Sequence, residues 1–324
     1  MESPLLKLPG AVPADPPDAG VAAHYGEPVP EQRSLDGPGA FVDRSNRGVV
    51  RVEGPDRLRW LHSMTTQHLE QLRPYEPTEA LLLSAQGRIE HHLSLVDDGT
   101  AVWAHVEPGT NEALVKFLDS MRFMLRVEVA DLTDSYAVVT TSGEAVGDLR
   151  LPDVVGSTLI VPRGELERDW GVRPAGLWAY EALRIAAHVP RPGLDTDDRA
   201  IPHEVGWIDT AVHLDKGCYR GQETVARVHN LGRPPRRLVF LHLDGSVDRL
   251  PGHGDPVELD GRTVGSVGTS ARHHELGPIA LALVKRNVPV DAELLAGGVA
   301  AAQEVIVSPE TGANVTIALR RRPT

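Results

Sequence analysis

One stretch of the chain gathers groups that could do chemistry: residues 213–229, HLDKGCYRGQETVARVH. It holds the only cysteine in 324 residues, Cys218, between Gly217 and Gly221 and flanked by Lys216 and Arg220. A lone cysteine has an ordinary reading as a small buried apolar side chain. Its neighbours offer another. Cationic Lys216 and Arg220 favour a thiolate if their charges lie near the sulfur, and a helix opening after Gly221 would push the same way. The glycines permit unusual backbone angles and close approach of a ligand or partner. A thiolate is both a nucleophile and a metal ligand. On these residues alone, both readings stand.

The remaining constellations carry less. The pairs His91-His92 and His273-His274 sit in strand-like sequence, where adjacent side chains point to opposite faces and cannot readily share one ion. There is no HExxH, no CxxC, no GxxxxGK[ST], and no GxGxxG after a strand. One cysteine excludes an intrachain disulfide and falls short of the ligands a resident iron–sulfur cluster needs. Glu204, in AIPHEVGW, reads as a solvated loop charge or as a carboxylate that accepts paired N–H groups of a flat heterocycle.

The elements that must position these groups fall into two patterns. Residues 1–38 are Pro-rich and aperiodic, which predicts a disordered tail. AFVDRSNRGVVRVEG then reads as a strand and DRLRWLHSMTTQHLEQL as a helix. EALLLS and IEHHLSLV form a hairpin across AQGR, followed by strand AVWAHV, helix NEALVKFLDSM and strand FMLRVEV. This β-α-β-β-α-β order predicts a ferredoxin-like layer of helices on an antiparallel sheet. SYAVVTTSG and STLIVP are further strands. GLWAYEALRIAAHV is an amphipathic helix with Leu177, Tyr180, Leu183 and Ala187 inward and Arg184 reaching outward along its stem. Past LGRPP the pattern becomes short strands between Gly, Pro and Asp turns, ending in NVTIALR, as in a small all-β barrel.

Length predicts more than one domain. The net charge of −12 argues against a nucleic-acid partner, although Arg227, Arg233, Arg236 and Arg237 leave room for a local basic groove. No apolar run is long enough for a membrane span, and the Pro-rich start does not resemble a signal peptide. A cytoplasmic protein is expected.

At DKGCYRGQETVAR the sequence resembles the YgfZ-type branch of the aminomethyltransferase-like, folate-binding superfamily, whose signature is KGCYxGQE. The likeness extends to FVDRSNRGVVRVEGPDRLRWLHSMTTQ, LLLSAQGRI, YEALRIAAHVPRPG, AIPHEVGW and GRTVGSVGTS, over roughly residues 39–290. It implies an α+β fold: two ferredoxin-like units, the first discontinuous, plus a C-terminal all-β barrel, arranged around a central folate pocket. The domains would be a tail over 1–38, a folate-binding region over 39–232 and a barrel over 233–324. It implies tetrahydrofolate or a derivative as cofactor, with Glu204 on the pterin. Lys216, Gly217, Tyr219, Gly221, Gln222, Glu223 and Arg227 would line its site around the functional thiol of Cys218. Aminomethyltransferases of glycine cleavage carry an Asp-Asp pair after the hairpin turn, whereas GRIEHHL places His91 and His92 there. Glycine cleavage is therefore not expected. The resemblance implies instead a folate-binding accessory factor in iron–sulfur cluster synthesis or repair, partnered by client proteins or assembly factors. The alternative is a folate-dependent one-carbon transferase acting on a small substrate.

Overall fold

The structure, a computed structural model, describes residues 1–312. The predicted strand NVTIALR lies outside the described residues. The N-terminal segment is not a disordered tail. After a short 3-10 turn it forms a ribbon of β1 (Val12–Pro13) and β2 (Ala22–His24), then α1 (Pro28–Asp36). Leu5, Val21 and Leu35 are buried. Leu5 packs in the core under Phe41, and Val21 and Leu35 pack with Leu177 and Tyr180. Sparse apolar residues suffice here because each meets a cavity already built by the rest of the chain.

The single strand expected over 40–54 is two: β3 (Ala40–Asp43) and β4 (Gly48–Glu53), in different sheets. Between them Arg44, Ser45 and Arg47 are buried, and both arginines bond distant acids. Those bonds turn the chain from one sheet to the other. The next helix, α2 (Arg57–Met64), stops well short of the expected residue 72. Thr65 and Thr66 leave it, and the ammonium of Lys216 takes the carbonyls of His62, Thr65 and Gln67.

β5 (Thr78–Leu83), β6 (Ile89–Asp97), β7 (Ala101–Val106), α3 (Asn111–Ser120) and β8 (Glu128–Asp131) complete the first unit. Its antiparallel sheet runs β5-β6-β7-β4-β8, with α2 and α3 packed on one face through Trp60, Leu61, Leu114 and Leu118. β8 starts later than expected, and Phe123, Met124 and Leu125 form an exposed turn instead of its first half.

The second sheet contains β9 (Tyr136–Thr141), β10 (Arg150–Asp153), β11 (Gly156–Pro162) and β12 (Arg173–Ala175), in the order β10-β11-β9-β3-β12. It is antiparallel except for the β3–β12 pair. Since its opening strand β3 precedes the β4–β8 unit and β9 follows it, the unit that begins first in the chain is the discontinuous one. α4 (Leu177–Ala186) packs beside α1. Arg184 does not reach outward: it is 1% exposed and bonds Glu181, Asp195 and Thr269. The helix is amphipathic, yet its inner face meets an ion-paired layer as well as an apolar one.

α5 (Ile208–Ala211) and α6 (Gln222–Asn230) lead to a closed barrel of six strands. These are β13 (Arg236–Leu243), β14 (Pro256–Leu259), β15 (Arg262–His273), β16 (Gly277–Lys285), β17 (Glu293–Ala296) and β18 (Val299–Val305), joined in the order β13-β16-β15-β14-β17-β18. The fold is thus α+β with two sheet-and-helix units and a barrel. The two sheets meet through Val49, Trp103, Val138 and Ile160. The barrel's Phe240 and Leu281 share a core with Leu83, Trp207 and Tyr219.

Candidate functional site

The cysteine turn is held from three sides. Gly221 has φ +83°, and a Cβ there would lie 2.5 Å from the carbonyl oxygen of Ser84, so only glycine fits against the β5–β6 turn. Arg220 pairs with Glu90 at 2.7 Å and lies over the ring of Phe117 on α3. Lys216 is buried, with its Nζ 2.6 Å from the Thr65 oxygen and 2.8 Å from that of Gln67; burial lowers its pKa to about 8. Its charge completes the C-terminus of α2, where a cation meets the exposed carbonyls of the last turn. Tyr219 is buried beneath it, and burial raises its phenol to about 12.

Cys218 itself is exposed. Gly217 has open space where a Cβ would go. The Gln222 amide makes long bonds to the carbonyls of Lys216 and Gly217. Glu223 and Arg227 pair with each other at 2.8 Å on the solvent side of α6. Glu204 is fully buried and does not wait for a ligand: the Arg236 guanidinium binds both its oxygens at 2.9 Å, and the amide of Ile201 donates to one of them. Arg236 binds Asp197 in the same fork-to-fork way.

A polar cavity of about 340 Å³ lies where the two sheets and α4 converge. None of Glu204, Lys216, Cys218 or Arg227 lines it. Its wall is an ion-paired shell. Arg47 bonds Glu107 at 2.7 Å, and Arg191 bonds Glu107, Glu181 and, through both terminal nitrogens, Asp18. Arg44 reaches Asp153 at 3.1 Å and stacks on the ring of Tyr180, whose hydroxyl donates to the same carboxylate. Burial works to raise the pKa of Glu107, but Arg47 and Arg191 outweigh it and hold the carboxyl well below the usual range. Burial, reinforced by Arg47 and Arg44, keeps His105 neutral.

β6 sorts the two adjacent histidines. His92 pairs in register with Leu81 and lines the cavity; His91 pairs with Leu82, on the helix-covered face, and lines a separate cleft with Thr110 and Ala113. His92 is hydrogen-bonded to Glu79 at 3.2 Å and stacks on Trp207, with centroids 4.7 Å apart and planes within 6°. Beyond Glu79 a narrow neck between Pro77, Leu151 and Pro152 leads to an outer opening lined by Tyr75 and Arg150.

Sequence reasoning missed most of this shell. One signal was available: an arginine on the apolar face of α4 requires buried carboxylates nearby. Among the described residues no group of His, Cys, Asp and Glu is arranged to hold a metal ion, and no helix is long and apolar enough to cross a membrane.

The architecture is that of an aminomethyltransferase. It superimposes on the glycine cleavage system aminomethyltransferase T of Bartonella henselae with a TM-score of 0.80, over 94% of this chain and 96% of that one, at 17% identity. No family model matches the sequence. An aminomethyltransferase of a Nostoc species is 36% identical over 317 residues, covering 82% of this chain and 83% of its own. A chloroplastic protein of Arabidopsis thaliana, provisionally named a transferase, is 25% identical over 70% of this chain and 60% of its own length. The chain belongs to the aminomethyltransferase superfamily.

Proposed function

We propose that the protein binds a reduced folate in the central cavity and serves iron–sulfur client proteins through the thiol of Cys218, as an accessory factor in cluster synthesis or repair. The observation that carries this reading is the exposure of Cys218 on a turn braced by Lys216, Arg220 and Gly221. A rigid, accessible thiol suits brief contact with another protein's metal or sulfur, whereas a structural cysteine would be buried.

The cavity fits the cofactor. Its volume lies within the ~300–1,000 Å³ of small-molecule sites. Glu79 offers a carboxylate to pterin N–H groups, the Pro77–Leu151–Pro152 neck suits an aromatic linker, and Arg150 at the outer opening suits the carboxylates of a glutamyl tail. Tetrahydrofolate would supply the nitrogen chemistry of one-carbon carriage. The residues of this chain bind and orient it. Since Glu204 is already saturated by Arg236, Glu79 takes the pterin role first expected of Glu204.

In a strain lacking the gene, Cys218→Ala should fold and bind tetrahydrofolate like the wild type yet fail to restore iron–sulfur enzyme activity. Full rescue would refute the thiol's role. A second reading, a one-carbon transferase with a small substrate, is favoured by the Glu79–His92 pair on the cavity wall. Sustained formation of methylenetetrahydrofolate from tetrahydrofolate and candidate methylamines would establish it over the first.

A further inference from the structure

A second cleft, of about 630 Å³, lies on the helix-covered side of β6, and Pro192 is the only residue that lines both it and the central cavity. The β5–β6 turn, the start of α3 and the loop after Arg191 form its walls. Donors and acceptors are out of balance there. Ser84 and Thr196 are only 8% and 9% exposed. The Ser84 hydroxyl accepts from the amides of Gln86 and Arg88, and the Thr196 hydroxyl accepts from the amide of Gly193. Neither hydroxyl donates to any described residue, and the Arg88 guanidinium has no acceptor among the described residues.

His91 adds a further donor. Burial lowers its pKa to about 4, so the ring is neutral. Its Nδ1 is buried with no partner. A buried N–H without an acceptor is rarer than a buried acceptor left unpaired, so the hydrogen belongs on Nε2, the nitrogen left to the cleft. Thr110 gives the ten-residue α3 no side-chain cap, so the positive end of that helix borders the same space. The carboxylates are mostly spent: Arg236 holds Asp197 through two bonds, and Arg220 holds Glu90 at 2.7 Å. Asp198 is the exposed exception. A cation entering the cleft would meet one unpaired carboxylate, whereas an anion meets Ser84, Arg88, His91 and Thr196 with hydrogens to give.

We propose that this cleft binds a small organic acid, whose carboxylate or phosphate group takes the hydrogens of Ser84, Arg88, His91 and Thr196. The volume, within the ~300–1,000 Å³ of small-molecule sites, admits a metabolite-sized body and not only a bare ion. Arg88 offers its fork to two oxygens of the acid, and the buried hydroxyls and imidazole fix the group's position. The occupant lies beside the mount of Cys218, because the Ser84 carbonyl backs Gly221 and Glu90 pairs with Arg220. The site is separate from the central cavity and does not depend on the folate reading.

Calorimetric titration of the full chain near neutral pH tests the site, with succinate and glycerol 3-phosphate as probes and glycerol as the neutral control. At least one acid should bind saturably and glycerol should not; which acid binds decides between carboxylate and phosphate. Arg88→Gln should weaken that binding about tenfold or more, and His91→Phe about threefold or more. Asp198→Asn should bind at least as tightly as the wild type. Nitrogen-15 spectra should show the His91 Nε2 signal moving as the acid is added. Saturation with tetrahydrofolate should leave the acid's affinity unchanged. The site is overturned if neither acid binds, if both Arg88→Gln and His91→Phe bind like the wild type, or if Asp198→Asn binds more weakly. Competition by tetrahydrofolate would also overturn it, by moving the acid to the central cavity. If an acid binds as expected and tetrahydrofolate does not bind at all, the folate reading falls and this site stands.

Discussion

The cysteine turn and the central cavity use charge in opposite ways. At the turn each cation is committed to scaffolding: Lys216 to helix carbonyls, Arg220 to Glu90, Arg227 to Glu223. None is bonded to the sulfur. At the cavity, buried arginines and carboxylates pair with one another around an opening and, among the described titratable residues that line it, leave only Glu79 and His92 outside the network. The first region is a rigid mount for an exposed group. The second is a preorganised polar container. On the proposed reading, binding and thiol steps are separated in space, since Cys218 does not line the cavity, which favours a thiol that works on a partner over one that attacks the cavity's own ligand.

The most severe way to break this contrast is to open the container. Arg191→Met removes the guanidinium shared by Asp18, Glu107 and Glu181 and leaves buried carboxylates short of a partner. Breaking such a pair costs about 3–5 kcal/mol. A urea denaturation midpoint well below that of the wild type is the expected result, with folate binding lost and Cys218 still reactive toward a thiol reagent. A midpoint unchanged by the substitution would mean that the network does not hold the cavity together.

The mount is tested by two glycines that look alike in KGCYRG. Gly221→Ala meets both a left-handed backbone and the Ser84 carbonyl and should cost more than ~1 kcal/mol. Gly217→Ala meets nothing and should stay within about 0.5 kcal/mol of the wild type. Equal effects would show that the turn is not braced where the geometry says it is.

These glycines also mark how far the sequence could be read. The barrel, the hairpin and both helices of the first unit follow from local periodicity, since each element buries one face against near neighbours. What stayed hidden came from distant partners. Strand 40–54 splits because Arg44 and Arg47 bond acids on other strands, and α2 ends where a lysine more than 150 residues later caps it. Glu204 stood out as a lone loop carboxylate because Arg236, which saturates it, lies past the domain boundary. The signature turn was legible as a motif. Its exposure, and its separation from the cavity, required the fold.

Acid should affect the buried histidines throughout the molecule. Burial holds His91 and His203 near about 4, with His229 adding to the effect on His203. In the unfolded chain histidine titrates near ~6.5, so as pH falls the unfolded state takes up protons first. Stability present above about pH 6.5 is therefore lost as pH falls toward 4. Denaturation midpoints at pH 7.5 and pH 5 should differ clearly in the wild type. His203→Leu, which removes an imidazole that is 1% exposed with neither ring nitrogen bonded, should narrow the difference. An undiminished difference would assign the acid sensitivity to other groups.

The smallest effect is expected at the end of the signature, and it is the sharpest test of the separation. Glu223 and Arg227 pair only on the solvent side of α6, with side chains 87% and 67% exposed. Exposed pairs of this kind contribute little to stability, and neither residue lines the cavity. Arg227→Ala should therefore leave both the denaturation midpoint and the affinity for tetrahydrofolate unchanged in calorimetry, while Arg150→Ala, at the outer opening, should weaken affinity for a polyglutamylated folate severalfold. If Arg227→Ala weakens folate binding and Arg150→Ala does not, the folate tail runs over α6. The thiol and the cofactor would then share one surface, and direct chemistry between Cys218 and the bound folate would become the better account.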